Sequence, residues 1–302
     1  MNVFVTGATG AIGRPAVRAL IANGHSVSAM ARTPANAKLL QSVGATPVFV
    51  SLFDRTGLSA AFAGQDAIVN LATALPATRD FRKISAWQEN IRIRKEGSAT
   101  VVDAALDAGV SRLLQESVSM IYRDQGDAWI DESCPTDDFP MAQSNLAAEK
   151  SLCRFNDAGG TGITLRFGWF YGLGATHSEQ FLRLARKWGV CMMMGGADTY
   201  VSSIHVADGG AAVESLLRAP SGIYNIVDDE PLTKRAYADA IAAATGRERY
   251  LRLPGRLAQL LGDNTTSLTR SLRVGNAKIR QLTNWSPSYP SAYEGWQSMA
   301  AN

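Results

Sequence analysis

The chain opens on a short apolar run at residues 2 to 6, NVFVT, whose β-branched and aromatic side chains predict a strand. A glycine-bearing turn follows, and Ile12, Ala16, Ala19 and Leu20 then fall on one helical face. Pro15 fits the first turn of that helix, and Asn23-Gly24 is placed to end it. Strand and helix keep alternating: the strand HSVSAMAR, a helix near 34 to 43, a strand near 47 to 50, a helix near 56 to 63, and the buried strand AIVNLA at 67 to 72. Helical periodicity covers 86 to 108 and stops at Gly109, after which RLLQESV and ITLRFG (163 to 168) read as further strands. Alternation of this kind demands parallel strands joined by crossover helices, so the predicted class is α/β with a doubly wound parallel sheet. Beyond it come helical patterns near 178 to 188 and 206 to 217, the consecutive Met192, Met193 and Met194, the strand pattern IYNIV, and a mostly helical C-terminal region.

The turn after the first strand reads Gly7-Ala8-Thr9-Gly10-Ala11-Ile12-Gly13. Glycines between a strand and a helix serve a turn of unusual φ, the close approach of backbone to a pyrophosphate, and the packing of helix on strand, while helix N–H groups hold the anion. Gly7, Thr9, Gly10, Ile12 and Gly13 are therefore the candidate pyrophosphate site of a Rossmann domain. A carboxylate at the end of the second strand would accept from an adenosine ribose diol, but here the chain reads Met30-Ala31-Arg32. Arg32, helped by Arg14, offers a donor fork to a 2′-phosphate, which favours NADP(H) over NAD(H). Ser51 and Leu52 fall where this architecture meets adenine, and Asn70, Leu71, Ala72 and Thr73 lie beneath the nicotinamide ribose. Residues 1–169 with 204–228 are expected to form the dinucleotide-binding domain, and residues 170–203 with 229–302 a smaller, mostly helical substrate-binding lobe.

Composition narrows the partners. With 46% hydrophobic and 19% charged residues the chain is neither a disordered tail nor a highly charged coiled coil. A formal net charge of +3 is too small to predict nucleic-acid or membrane-surface binding, so the expected partner is a small molecule. Cys134, Cys153 and Cys191 form no CxxC pair and have no spaced histidines beside them, which predicts neither a disulfide framework nor a metal site. The sequence opens on no export segment and holds no run of about 18 apolar residues, so a cytoplasmic protein is expected.

TGATGAIG, VNLA, QESVSMIY, LRFGWFYG, IHVAD and IYNIVDDEPLT, in this order, resemble the extended short-chain dehydrogenase/reductase superfamily, most of all its NAD-dependent epimerase/dehydratase-like branch. The resemblance covers nearly the whole chain and implies a Rossmann domain, a nicotinamide cofactor, a C-terminal substrate lobe, and a homodimer built on the long helices near 86 to 108 and 146 to 156. It also implies a Tyr-x-x-x-Lys pair, with the tyrosine shuttling a proton and the lysine lowering its pKa and holding the nicotinamide ribose. The matching segment PMAQSNLAAEKSL puts Met141 at the tyrosine position and Asn145 at the lysine position. A thioether moves no proton, while the Asn145 amide keeps the capacity to bind a ribose hydroxyl.

The family's Ser/Thr falls in the segment Glu116 to Tyr122. Counting back from Tyr122 puts Val118 at the usual hydroxyl position with Ser117 and Ser119 on either side, so Ser119, Ser117 and Tyr122 are the candidate proton sources, Ser119 first. For Tyr122 the resemblance also implies packing near the substrate pocket, and Glu116 reads as a buried, partnered carboxylate. His205 and Asp208 read as structural groups at a helix start. Met141, Tyr171, His177, Met193 and Arg273 are the candidate substrate contacts. The region after 229 is rich in Lys and Arg, which suits an anionic substrate, and Arg273 is the specific candidate to grip a phosphate or carboxylate. Trp87, Arg92 and Arg94 read as a packed helix or dimer face.

Three functions fit these residues. The first is NADP(H)-dependent reduction of a small carbonyl, imine or activated alkene through a non-standard proton source. The second is non-catalytic binding of NADP(H) by a sensor or interaction protein. The third is a sugar-nucleotide epimerase or dehydratase.

Overall fold

The computed structural model describes residues 1–77, 80, 83–191, 193–246, 251–252 and 266–300. Met192 and much of the C-terminal stretch read as helical lie outside them. Seven parallel strands form the central sheet: β1 (Asn2–Thr6), β2 (Ser26–Met30), β3 (Thr46–Val48), β4 (Ala67–Asn70), β5 (Arg112–Val118), β6 (Thr161–Phe167) and β7 (Gly222–Ile226). Their order across the sheet is β7-β6-β5-β4-β1-β2-β3. The winding direction reverses between β1 and β4, and loops leaving adjacent strands in opposite directions open a crevice at their carboxyl ends.

Helices cover both faces because the strands are apolar on both sides. On one face α1 (Gly13–Ala22), α2 (Pro34–Ser42) and α7 (Val206–Ser215) bury Ala16, Val17, Leu20, Leu40 and Val213 against Val3, Val5 and Leu165. On the other, α3 (Arg55–Phe62), α4 (Ser98–Asp107) and α5 (Pro140–Asp157) bury Leu58, Phe62, Val101 and Phe155 against Phe4, Ile68 and Leu113. A Cβ on Gly210 would stand 2.6 Å from Pro15, so the Gly209-Gly210 pair lets α7 lie directly on α1. A third apolar cluster joins α6 (Thr176–Trp188), α8 (Lys234–Ala244) and α9 (Ala292–Ala300) through Leu182, Tyr237, Ile241 and Trp296. Ile279 and Trp285, expected in the C-terminal lobe, pack into the core of the sheet.

The helix expected over 86 to 108 runs unbroken from Gln88 to Asp107 with a π turn at Ile93–Gly97 inside it. The turn points Arg94 inward, where the side chain is 4% exposed and pairs with Glu116 at 2.9 Å. Trp87 is buried in the packing at the start of this segment.

A buried polar ladder crosses the middle of the sheet. Parallel register places Thr6 beside Asn70 and Asn70 beside Gln115. The Thr6 hydroxyl donates to Asn70 Oδ1, Asn70 Nδ2 donates to Gln115 Oε1 at 2.8 Å, and Gln115 Nε2 donates to the Glu116 carbonyl at 3.0 Å. Such bonds satisfy groups that would otherwise be costly to bury, and they fix the strand ends from which the site's loops leave.

Candidate active site

The glycine loop occupies the crevice at the end of β1. Gly7 has φ +65°, and a Cβ there would stand 2.3 Å from the Leu71 carbonyl oxygen, so the turn needs both glycine's backbone freedom and its missing side chain. A Cβ on Gly13 would stand 2.1 Å from the Gly7 carbonyl oxygen. Gly10 N–H donates to that oxygen at 2.9 Å and closes the turn. The first turn of α1 carries no acidic residue and no side-chain cap; Arg14 N–H donates to the Gly10 carbonyl at 3.2 Å and Pro15 has no N–H, so the Ile12 and Gly13 N–H groups are the ones left for an outside acceptor. A cradle closed to side chains at the uncapped start of a helix is a fit for a pyrophosphate.

Around the cradle, Ile12 is 5% exposed, packed into the sheet core and against Gly209. The Arg14 guanidinium lies so close to Gly174 that a Cβ there would stand 2.4 Å from it, which ties the loop after β6 to the mouth of the cradle. Arg32 is exposed at the end of β2, Ser51 is exposed, and Leu52 is buried close to Gly97. Leu71 and Ala72 are buried at the end of β4, while Thr73 is exposed and its hydroxyl accepts from Asn90 at 2.8 Å. Asn90, which no sequence motif singles out, is buried and holds this loop.

Around Met141 the structure brings together apolar groups. Val118, Met141 and Leu146 pack against Ile121, Phe139 and Ala142 in one cluster at the carboxyl end of β5 and the start of α5. The nearby hydroxyls are engaged elsewhere. Ser117 is fully buried, its Oγ donating to Glu149 at 2.6 Å, and Glu149 in turn takes both arms of Arg166 at 2.9 and 2.7 Å. Tyr122 is also fully buried: its hydroxyl donates to Asn225 at 2.8 Å, the Arg166 guanidinium lies 4.8 Å from its ring centre, and burial pushes its pKa up to about 12. These contacts engage the Ser117 and Tyr122 hydroxyls within the packing. Ser119 begins the turn that follows β5 and is 1% exposed.

Asn145 keeps a feature suited to a ligand. Its Nδ2 donates to the Met141 carbonyl at 2.9 Å, and its buried Oδ1 has no partner. A buried acceptor without a donor is a deficit that an incoming hydroxyl, such as that of a ribose, repairs. Asn145→Ala is therefore expected to weaken NADPH binding about three- to tenfold in a fluorescence titration, the range of one neutral hydrogen bond, with little change in melting temperature.

The other candidates lie in packed surroundings. Tyr171 is fully buried, stacked on Trp296 at 5.6 Å with its hydroxyl on the Ser291 carbonyl at 3.2 Å, which makes it part of the third cluster's packing. Met193 packs on the same cluster. A ring nitrogen of His177 is bonded to the Phe170 carbonyl, and burial holds its pKa below the usual histidine value. Trp169, two residues past β6, meets the His177 ring at 5.3 Å and has a buried indole N–H without a partner. His205 caps α7 through Ala207 N–H, and the Asp208 carboxylate accepts from Ser288 and Tyr289 N–H at 2.9 and 3.1 Å. Among the described residues no three or more His, Cys, Asp or Glu side chains are grouped to hold a metal ion, and no helix is long and apolar enough to cross a membrane.

Residues 3–226 match the model of the NAD dependent epimerase/dehydratase family. The chain belongs to that family. Among the relatives of this epimerase/dehydratase chain, a 3-diazoavenalumate denitrifying reductase from a Streptomyces species is 34% identical over 98% of this chain and 99% of its own length. A 4-hydroxy-2-methyl-3-oxo-4-farnesyl-3,4-dihydroquinoline-1-oxide ketoreductase from Stigmatella aurantiaca is 28% identical over 90% of this chain and 82% of its own. The human epimerase family protein SDR39U1, solved with NADPH, superposes with a TM-score of 0.77 at 23% identity, covering 100% of both chains. The family fold thus accounts for the cradle.

Proposed function

We propose that this protein directs hydride from a reduced nicotinamide dinucleotide, NADPH in preference to NADH, onto an electron-poor acceptor that needs no proton from the protein, an arenediazonium being the best-supported class. The observation that carries this reading is the apolar cluster of Val118, Ile121, Phe139 and Met141, in the segment that the resemblance matches to the family's acid. When bound, the dinucleotide supplies a hydride, whose electron pair makes a C–H bond at the ring carbon while the pair of the broken C–N bond leaves with N2, so that no proton enters the balance. The protein's own work is then binding, orientation and exclusion of water. Gly7, Gly10 and Gly13 admit the pyrophosphate, Asn145 accepts from the ribose, and Arg32 takes the place of a carboxylate that would repel a 2′-phosphate.

The apolar cluster also suits departing N2, which accepts no strong hydrogen bond. The relative covered nearly end to end is named for the denitrifying reduction of a diazo carboxylate, which supports the same class. The division into a dinucleotide-binding domain and a C-terminal substrate lobe belongs to this proposal. Carbonyl, imine or alkene reduction leaves an anion to be protonated, with Ser119 as the remaining donor at the end of β5. An epimerase or dehydratase reading is carried by fold alone, because reversible oxidation of a sugar needs the missing base.

The test is NADPH oxidation by benzenediazonium, with a Gly7→Ala variant as the background control. Deuterium from (4-2H)NADPH is expected on the ring carbon, with equimolar N2. Ser119→Ala is expected to keep the rate within about twofold, whereas removing a general acid costs roughly a hundredfold or more. Faster reduction of a ketone panel with a hundredfold loss in Ser119→Ala would overturn the reading. Tight NADPH binding with turnover of neither class would favour the non-catalytic alternative.

A further inference from the structure

We infer that Arg273 anchors the carboxylate of a planar aromatic acid, held in readiness by an aromatic clamp. This rests on the hydride-transfer reading above and adds a carboxylate anchor to it. The short strand Arg273–Val274 pairs in parallel with Trp129–Ile130, so that Arg273 lies beside Trp129. The guanidinium carbon stands 4.4 Å from the centre of the Trp129 ring and 4.8 Å from that of Tyr200. Nη1 donates to the Asp127 carbonyl at 3.3 Å, and the buried Nε has no partner. Two rings and one carbonyl fix the side chain before any ligand arrives, so little rotamer freedom is left to lose on binding.

The neighbouring arginines are each neutralised. Arg270 pairs with Asp137, Arg280 with Asp229 and Arg235 with Asp198. Among the described residues no carboxylate pairs with Arg273. A preorganised guanidinium that pairs with no carboxylate is a donor fork for one. The Trp129 indole, 53% exposed, offers the adjoining surface for a planar ring.

Calorimetric titration of the full NADPH-loaded chain with trans-cinnamate and with methyl trans-cinnamate tests the anchor. The acid is expected to bind roughly ten- to a hundredfold tighter than the ester, the range of a charge-assisted hydrogen bond. Arg273→Leu is expected to bring that ratio to about one, and Arg273→Lys, which keeps the charge but loses the fork, to a few-fold. A wild-type ratio near one overturns the proposal, as does a ratio unchanged in Arg273→Leu or, if that variant does not fold, in Arg273→Lys. An Arg273-dependent acid preference without diazonium reduction would remove the hydride-acceptor reading and leave the anchor standing. Diazonium reduction with no acid preference would do the reverse.

Discussion

Gly7→Ala is expected to abolish measurable NADPH binding, a loss of at least about a hundredfold or roughly 2.7 kcal/mol, and to lower the melting temperature as well. Two independent costs meet at this position. The backbone holds φ +65°, which a residue with a Cβ adopts at a cost of about 1–2 kcal/mol. The new methyl would also stand 2.3 Å from the Leu71 carbonyl oxygen, 2.5 Å from its carbon and 2.7 Å from Ala72 N, all of them backbone atoms of the loop leaving β4. Neither loop can yield without the other, because both leave strands tied by the Thr6 to Asn70 bond. The overlap therefore widens the crevice at the point where pyrophosphate and ribose must fit together. Side-by-side titration with NADPH and thermal unfolding checks both effects. Binding within tenfold of wild type would show that the cradle tolerates a side chain and that the glycine has another cause.

Arg94→Leu is the second large effect, with an expected loss of about 3–5 kcal/mol of stability, the usual cost of removing one partner from a buried ion pair. Arg94 and Glu116 have side chains 4% and 3% exposed, so a leucine in place of the arginine would leave Glu116 facing a low-dielectric interior alone. Burial already holds the Glu116 carboxyl above its ordinary pKa, and Arg94 pulls it back. Without that pull the folded-state value rises further. An acid whose folded pKa exceeds its unfolded one binds more protons when folded, so the folded state loses stability as pH rises from the unfolded value toward the folded one. The deficit of Arg94→Leu is therefore expected to shrink in acid and grow toward alkaline pH. Glu116→Gln added to Arg94→Leu is expected to flatten that slope and recover part of the loss. Denaturant melts across pH check this, and a deficit independent of pH would mean that Glu116 is not the group left exposed to the change.

How far the sequence speaks depends on the range of the interaction involved. The alternation of apolar runs with helical periodicity is local, and it matches seven parallel strands in doubly wound order, with RLLQESV forming β5 from Arg112 to Val118. Gly7 and Gly13 are legible for the same reason, since a glycine turn between a strand and a helix constrains its own few residues. The partnered state of Glu116 is foreseeable from its place in a buried strand, yet its partner is brought by a π turn that no periodicity announces. Ser117 and Tyr122 illustrate the limit. Both sit beside the expected hydroxyl position, and what occupies them comes from residues 32 and 103 positions away, Glu149 and Asn225. Tyr171 resembles a pocket residue by motif but is claimed by Trp296, which arrives from the far end of the chain. The clamp around Arg273 is half readable: the arginine stands out in its segment, whereas Trp129 and Tyr200 join it only through strand pairing.

The uncapped start of α1 gives the dinucleotide a bearing on how long each molecule persists. A ligand at a hundred times its Kd adds about 2.7 kcal/mol to the folded state, in this case by completing a helix end that the chain leaves open. A newly made copy that meets no dinucleotide samples open, protease-sensitive forms about a hundred times more often than a loaded one. Abundance of the protein would then follow the supply of its redox currency, rising where reduced cofactor is plentiful and falling by degradation where it is scarce.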